Sequence, residues 1–179
     1  MQAALKKLSA LDIAMICPLH GPVWRENLDY LLGKYDKWSR YEPEEKAVAI
    51  FYASMYGDTE NAADILAAGL AEGGVRNIAM YDVSSTHISY LISEVFRCSH
   101  LVLASATYNG GIYTPMEDFL RDLECHGLRN RSVAIIDNGT WAARAGMLMG
   151  KILEDMKEMR VMEGSVSLKS SVKEPQRRS

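Results

Sequence analysis

The sequence predicts an α/β protein built on a doubly wound parallel sheet. From residue 47 onward, short and nearly continuous apolar segments alternate with longer segments of helical periodicity. Continuous apolar segments are typical of strands that are buried on both faces, and parallel strands need long connections, usually helices. The 179 residues are enough for one domain with a small appendage.

The first 40 residues predict that appendage, a helix–strand–helix piece. Apolar residues share one helical face over 4–11, a short apolar strand is expected at 13–17, and a second helical pattern covers 25–38. A polar segment with a proline at 41–46 predicts a linker. Because the appendage is too short to hold a core of its own, we expect it to pack against another unit.

Residues 47–179 predict the sheet. Strands are expected at 47–52, 77–83, 100–105, 132–137 and 164–169, with helices between them at 59–72, 86–98, 116–127 and 143–159. The first of these helices stops at a Gly-Gly pair, the second has Ser85 as its expected cap, and the third has Pro115 near its first turn. A helix that would close the sheet after the last strand is missing, which indicates a truncated product.

Composition argues against several classes of function. The formal net charge is −3 and there is no long basic segment, so nucleic-acid binding is not expected. No apolar stretch reaches the length of a membrane span, and the N-terminus is too polar for a signal peptide. Cys17, Cys98 and Cys125 are widely spaced and form no CxxC motif, so we expect reduced thiols in a cytoplasmic protein.

Three loops follow predicted strands at the carboxyl edge of the sheet, where open α/β sheets bind their ligands. The first, at 54–59, offers hydroxyl and backbone donors at a helix N-terminus, which favours an anion. It contains no lysine or arginine and no Walker sequence, so a monophosphate held by neutral donors is expected. An ordinary helix capped by Asp58 or Thr59 explains this loop alone equally well.

The other two loops predict a flat ligand. Loop 105–111 places Tyr108 among small residues, and its glycines allow a close approach of the backbone. Loop 137–141 ends on Trp141. Either aromatic residue alone is better explained by packing over the sheet, but three such loops at one edge favour a planar aromatic ligand.

Together these motifs resemble the flavodoxin-like domain of flavodiiron proteins, also called A-type flavoproteins. "SMYGDTE" is similar to the flavodoxin phosphate pattern (S/T)-x-x-G-x-T, and "ASATYNGGIYTPMEDFL" and "NGTWA" are similar to later motifs of the family. "ICPLHGPVWR" resembles the last segment of the metallo-β-lactamase-like domain that precedes it. The resemblance implies a remnant of that domain at 1–40, a linker at 41–46, and at 47–179 a flavodoxin-like five-stranded sheet of order 2-1-3-4-5.

The resemblance also implies an FMN-binding electron-transfer module of an oxygen or nitric oxide reductase. A small redox protein such as rubredoxin, or a flavin reductase, would be its partner, and the family usually forms a homodimer. Aromatic rings beside the flavin would disfavour an anionic reduced form and lower its reduction potential. No catalytic acid or base is implied. The implied cofactor-binding residues are Ser54, Met55, Tyr56, Gly57, Asp58, Thr59, Ala106, Thr107, Tyr108, Asn109, Gly110, Gly111, Asn138, Gly139, Thr140 and Trp141.

Some positions depart from the family pattern. His20 matches the last iron-binding histidine, but the family's other iron ligands would lie upstream of residue 1. One histidine cannot build a diiron site, so we expect FMN here and a diiron centre only in full-length members. Ala106 replaces a common proline, while Asp58 and Glu60 bring negative charge near the phosphate, so their side chains must point away or cap the helix.

Two alternatives to the FMN module stay open. The first is a degenerate flavodoxin-like scaffold or dimerisation domain without flavin, which the departures at the phosphate loop and the missing helix would favour. The second is a flavoprotein similar to NAD(P)H:quinone reductases, which would need a substrate pocket over the flavin.

Overall fold

The computed structural model describes residues 1–173 as a central sheet between helices. In chain order the helices are α1 (Gln2–Leu8), α2 (Leu28–Arg40), α3 (Asp58–Glu72), α4 (Ile88–Arg97), α5 (Thr114–Cys125) and α6 (Ala145–Asp155). The strands are β1 (Glu45–Ala53), β2 (Ile78–Asp82), β3 (Cys98–Tyr108), β4 (Gly111–Ile112), β5 (Arg131–Asn138), β6 (Met159–Val161) and β7 (Val166–Leu168).

The sheet has the predicted winding. Its main order is β2-β1-β3-β5-β6, and every neighbouring pair along this path is parallel. For the five predicted strands this is the order 2-1-3-4-5, so the flavodoxin-like fold class is confirmed. In addition, β4 forms a short antiparallel hairpin with β3, and β7 pairs with the end of β5.

The predicted strand at 164–169 is present as the shorter β7, and it shares the fifth position of the sheet with β6, a second short strand that was not predicted. β6 pairs with the start of β5 and β7 pairs with its end. Between them Gly164 has φ +93°, a left-handed conformation that interrupts a strand. The helix predicted to reach residue 159 ends at Asp155, because Met156 is already extended and leads into β6.

Two apolar cores cover the two faces of the sheet. The larger packs α4, α5 and α6 against inward-facing residues such as Phe51 and Leu103. The smaller packs Ala62 and Ala63 of α3 against Ile50. Each fully buried large side chain contributes about 1.5–3 kcal/mol, so the larger core dominates stability. In the described residues after β7 there is no helix that would add to the smaller core.

The appendage is less regular than predicted. Its expected strand at 13–17 is wrong, because only Ile16 forms a bridge, to Trp24. Pro18 and Pro22 lack an N–H donor, so the segment between the two bridged residues cannot extend the ladder. The helices on either side, α1 and α2, pack against each other.

The segment expected to be a linker at 41–46 is held in place by contacts. Glu44 forms an ion pair with Lys34 and accepts a hydrogen bond from Trp38 Nε1 at 2.5 Å. β1 already begins at Glu45. The side chain of Glu44 therefore ties α2 to the start of the sheet.

A buried arginine closes the amino end of the sheet. Arg131 is 2% exposed, and its pKa is lowered to about 10 by burial, so it stays charged at neutral pH. Its guanidinium donates only to backbone carbonyls of described residues, which belong to the ends of α2 and α4 and to the start of β5. These carbonyls are those of Tyr41 at 2.7 Å, Val95 at 2.8 Å, Asn130 at 2.9 Å, Phe96 at 3.0 Å and Arg129 at 3.0 Å.

The N-cap of α4 is His87 and not Ser85, because His87 Nδ1 accepts the backbone N–H of Ser89 at 3.3 Å. The three cysteines are free, as expected. No helix in the described part of the chain combines the length and the hydropathy that a membrane span requires.

Candidate functional site

The three predicted loops meet at the carboxyl edge of the sheet and line one pocket. They are neighbours because β1, β3 and β5 are adjacent parallel strands. The pocket has a volume of about 100 Å³, below the roughly 300–1,000 Å³ of pockets that enclose a whole small ligand. It therefore suits a compact group such as a phosphate. The lining residues are Ser54, Met55, Tyr56, Asp58, Thr59, Ala106, Thr107, Asn138, Gly139, Thr140 and Ser170.

The first loop leaves backbone N–H groups at the start of α3 without an acceptor among the described residues. Gly57, with φ +89°, is the N-cap of the helix, and its own N–H donates to Ser54 Oγ at 3.0 Å. The expected capping by Asp58 or Thr59 is wrong, since a left-handed cap residue without a side chain turns the chain into the helix. The N–H groups of the first helical turn, together with the helix dipole, favour an anion at this position.

Thr59 adds a hydroxyl donor to the same position. Its side chain is 2% exposed and lines the pocket, yet the hydroxyl forms no hydrogen bond to any residue among 1–173. Every fully enclosed polar side-chain atom in that range has a partner, so the Thr59 hydroxyl must open onto the pocket. It can donate there to a bound anion.

Both carboxylates of this helical turn are engaged by other residues. Asp58 Oδ2 accepts from the Ser170 hydroxyl at 2.9 Å, and Glu60 Oε1 accepts from the Tyr52 hydroxyl at 3.1 Å. Burial, and to a smaller extent the hydrogen bond to the Glu60 carboxylate, raises the pKa of Tyr52 to about 12, so this hydroxyl keeps its proton at neutral pH. Glu60 lies outside the pocket lining, whereas Asp58 and its partner Ser170 both line the pocket, so one negative charge remains beside it.

Ser170 is a lining residue that the sequence did not single out. Its backbone N–H donates to Asn138 Oδ1 at 2.9 Å, and its carbonyl accepts from Asn138 Nδ2 at 3.0 Å. These bonds hold the segment after β7 across the pocket. Its only sequence signal is a serine after a short apolar segment, and that signal does not reveal the partner.

Thr107 fastens the second loop to the third. Its hydroxyl donates to Asp137 Oδ1 at 3.1 Å and accepts the N–H groups of Arg144 at 2.9 Å and Ala145 at 3.0 Å. A hydroxyl has one donor and two acceptor sites, so that of Thr107 is fully used. Of the predicted ligands, Thr107 therefore offers its backbone, and not its hydroxyl, to a bound molecule.

Asp137, near the end of β5, packs against the start of α6 and is 5% exposed. Burial raises the pKa of its carboxyl, although hydrogen bonds from the Gly146 N–H and the Thr107 hydroxyl act in the opposite direction. A Cβ on Gly146 would come within 2.8 Å of Asp137 Cβ, so only glycine allows this approach. The close contact keeps the third loop near the helix.

Three aromatic side chains project around the pocket. Tyr56 is 90% exposed and Trp141 is 98% exposed, while Tyr108 is 42% exposed and packs edge-on against Tyr113 at 6.0 Å between ring centroids. These side chains add exposed aromatic surface beside the pocket, and exposed apolar patches often mark ligand-binding sites. They are available to contact a planar ligand.

Six of the predicted ligands lie outside the pocket lining. Asn109 and Gly110 have φ of +49° and +73°, and they form the two-residue turn that joins β3 to β4. The six residues are Gly57, Tyr108, Asn109, Gly110, Gly111 and Trp141. Most residues of the predicted phosphate loop therefore line one pocket. The surface around its mouth, which carries Tyr56, Tyr108, Trp141 and the Asn109–Gly110 turn, is called the open rim below.

His20 lies in the appendage and is exposed. Within residues 1–173 no three His, Cys, Asp or Glu side chains are grouped as a metal site would require. His20 is an isolated side chain in the described structure.

Comparison with known proteins supplies the family. The flavodoxin family model matches residues 50–175. The uncharacterized protein MJ0732 of Methanocaldococcus jannaschii is 34% identical over 122 residues, 68% of this chain and 30% of that protein. The anaerobic nitric oxide reductase flavorubredoxin of Escherichia coli is 26% identical over 161 residues, 89% of this chain and 33% of that protein.

The structural comparison agrees. The crystal structure of the flavodiiron protein from Giardia intestinalis superposes with a TM-score of 0.89 at 23% identity, covering 99% of this chain and 44% of that one. The chain therefore spans about a third of its curated relatives and under half of this solved structure. The resemblance to the flavodoxin-like part of flavodiiron proteins is confirmed. Because the family model extends from β1 past β7, the chain belongs to the flavodoxin family.

Proposed function

We propose that this chain binds FMN at the carboxyl edge of its sheet and acts as the electron-transfer module of a flavodiiron-type oxygen or nitric oxide reductase. The observation that carries this proposal is that donors at the start of α3, which have no acceptor in the described part of the chain, lie beside exposed aromatic side chains. Membership of the flavodoxin family and the similarity to a nitric oxide reductase flavorubredoxin support it.

The phosphate of FMN fits the donor set of the first loop. The hydroxyl of Thr59 and the N–H groups of the first turn of α3 would donate to its oxygens, and Ser54 would position the turn through its bond to Gly57. Hydrogen bonds to a charged group are worth about 1.5–3 kcal/mol each, so a few neutral donors are sufficient to hold a phosphate. The third loop would add Thr140 from the other side of the pocket.

The ring of FMN fits the open rim. Tyr56, Tyr108 and Trp141 are exposed there, and the Asn109–Gly110 turn lets the backbone of β3 and β4 approach a flat ligand. When bound, the flavin supplies the one- and two-electron chemistry. The residues of this chain bind the cofactor, orient it and set its electrostatic environment.

The domain assignment and the partners also belong to this proposal. Residues 1–40 would be the last segment of a metallo-β-lactamase-like domain, 41–46 its link, and 47–179 the FMN domain. The flavodiiron structure that covers 99% of this chain, and so includes the appendage, supports this division. His20 would then be one iron ligand of a diiron site completed only in a full-length protein.

The similarity to a flavorubredoxin favours a rubredoxin-like electron donor over a separate flavin reductase. A homodimer would bring the flavin of one copy close to the iron of the other, as the flavodiiron resemblance implies. These assignments concern the whole reductase, of which this chain would supply the flavin half.

A titration tests the cofactor. FMN added to the purified protein is expected to lose its fluorescence until one equivalent is bound, and the loaded protein is expected to be yellow. Riboflavin, which lacks the phosphate, is the control ligand and should bind at least about tenfold more weakly, since it loses at least one hydrogen bond to a charged group.

Failure to bind added FMN would contradict the proposal and favour a scaffold without flavin. Equal affinity for riboflavin would show that the first loop holds no phosphate. Sustained turnover of NADH with a quinone by the loaded protein would instead favour the quinone reductase alternative.

A further inference from the structure

Arg144 is a cation beside the loop that the proposed flavin ring would contact. It directly precedes α6, is exposed, and has its guanidinium Nη1 3.8 Å from the position that a Cβ would take on Gly110. Its backbone N–H is fixed by the hydrogen bond to Thr107 Oγ1. The main chain of Arg144 is thus anchored while its side chain extends toward the Asn109–Gly110 turn.

The charge of Arg144 is not neutralised by its surroundings. In the described part of the chain its guanidinium forms no ion pair and no hydrogen bond. The carboxylates of Asp58, Glu60 and Asp137 instead accept hydrogen bonds from the hydroxyls of Ser170, Tyr52 and Thr107. The guanidinium therefore keeps its full set of donors for a ligand on the rim.

We propose that the positive charge of Arg144 stabilises the reduced, negatively charged flavin relative to the oxidised flavin, whose ring is neutral. This inference rests on the proposed FMN site. A positive charge beside the ring attracts the reduced form and leaves the oxidised form nearly unaffected, so it raises the reduction potential. It opposes the electron-rich rings of Tyr56, Tyr108 and Trp141, which act in the direction of a lower potential.

The difference between the two oxidation states is the measurable quantity. Arg144→Gln is expected to leave the dissociation constant for oxidised FMN within about twofold, because the ring is uncharged in that state. It is expected to weaken the binding of reduced FMN about tenfold relative to oxidised FMN, which is a fall of about 30 mV in the two-electron midpoint potential. The backbone bond to Thr107 is retained in this variant.

Lys151→Gln is the matched control. Lys151 is an exposed cation on α6, and its removal changes the net charge by the same amount without altering the rim. Its midpoint potential is expected to equal that of the wild type. Because Arg144 is exposed, its effect should shrink with added salt, as the screening length falls from about 10 Å at 0.1 M to about 3 Å at 1 M.

Arg144→Lys and Arg144→Glu complete the series. The lysine variant is expected to keep most of the wild-type potential, and the glutamate variant to shift it about twice as far as glutamine does, since the charge changes by two units instead of one. The glutamate variant also provides a second reading if the glutamine variant does not fold.

Each outcome decides between the two proposals. Equal potentials in the wild type, Arg144→Gln and Lys151→Gln would overturn the role of Arg144 and leave the FMN site standing. Equal weakening of both oxidation states in Arg144→Gln would also overturn it, because the side chain would then bind without discriminating between them. A wild-type protein that binds no FMN would overturn the proposed function and this inference together.

Discussion

The two ends of the parallel sheet use polar groups in opposite ways. At the amino end, the Arg131 guanidinium is buried and donates hydrogen bonds to backbone carbonyls of the same chain. At the carboxyl end, the Thr59 hydroxyl and the first N–H groups of α3 have no acceptor among residues 1–173, and the aromatic side chains beside them are exposed.

This difference separates stability from binding. A polar group that is satisfied within the chain contributes to folding, whereas a donor that opens onto a pocket is available to a ligand. Substitutions at the amino end should therefore change the free energy of unfolding and spare the affinity for FMN. Substitutions of pocket-facing groups should do the reverse.

The largest effect is expected for Arg131→Met. The variant removes the donors of several buried carbonyls, each of which costs about 1–3 kcal/mol when left unpaired, so we expect a loss of about 3 kcal/mol in the free energy of unfolding. Urea denaturation followed by circular dichroism measures it. The affinity of the folded protein for FMN should stay within about twofold.

Arg129→Met is the control for this first prediction. Arg129 lies over the ring of Tyr41 at 4.5 Å, a cation–π contact worth about 0.5–1 kcal/mol at such a site. Equal stability losses for the two arginine variants would show that the buried guanidinium has no special role at the amino end.

The next largest effect is expected for Thr59→Val, which removes the hydroxyl and keeps the shape. Losing one hydrogen bond to a phosphate costs about 1.5–3 kcal/mol, so the affinity for FMN should fall by about tenfold to a hundredfold in a fluorescence titration. The free energy of unfolding should hardly change, because the hydroxyl has no partner in the described chain.

Thr59→Ser restores the hydroxyl and should restore most of the affinity. If Thr59→Val destabilises the protein as strongly as it weakens binding, the proposed separation between the two ends of the sheet is wrong.

A smaller effect is expected for Ser170→Ala. This variant removes the hydrogen bond to Asp58 and keeps the backbone bonds to Asn138, so the Asp58 carboxylate is released beside the phosphate position. We expect the affinity for FMN to fall about twofold to tenfold, in line with about 0.5–1.5 kcal/mol for one hydrogen bond. Ser171→Ala, at the exposed neighbouring residue, should have no effect, and a comparable loss in that control would implicate the whole segment.

The smallest effect concerns the pH dependence of stability through Asp137. Because burial raises the pKa of its carboxyl, the folded state holds this proton more tightly than the unfolded state does. Stability is therefore lost as the pH rises from the usual Asp value of about 3.9 through the raised pKa. Hydrogen bonds from Thr107 and Gly146 oppose the shift and keep the effect small.

Asp137→Asn cannot titrate at this position, so the comparison isolates one carboxyl. The free energy of unfolding of the wild type minus that of the variant should decrease as the pH rises above the usual Asp value of about 3.9 in urea titrations. A difference that grows with pH would mean that the folded state prefers the charged carboxylate.

The fold could be predicted from the sequence because its signals are local. Buried parallel strands give continuous apolar segments, and Gly73 and Pro115 mark helix ends in the expected way. The strand predicted at 13–17 failed for lack of a partner, which periodicity cannot supply. The split between β6 and β7 depends on the register with β5, which is equally invisible in a local pattern.

The candidate site could be predicted where its lining residues follow one another within a single loop. Within the segments 54–59 and 138–140, residues that are close in the chain line the same pocket, with Gly57 as the exception. Ser170 was missed because its partners Asp58 and Asn138 are 112 and 32 residues away. The engagement of the Thr107 hydroxyl was missed for the same reason, since it depends on how α6 is placed against β3.

The split fifth position has a consequence for behaviour at high concentration. One long edge strand would offer an uninterrupted row of backbone donors and acceptors to the edge of a second molecule. Here each piece, β6 and β7, is three residues long, and the left-handed Gly164 between them prevents a continuous ladder. The interruption limits edge-to-edge pairing and so protects this side of the sheet against aggregation.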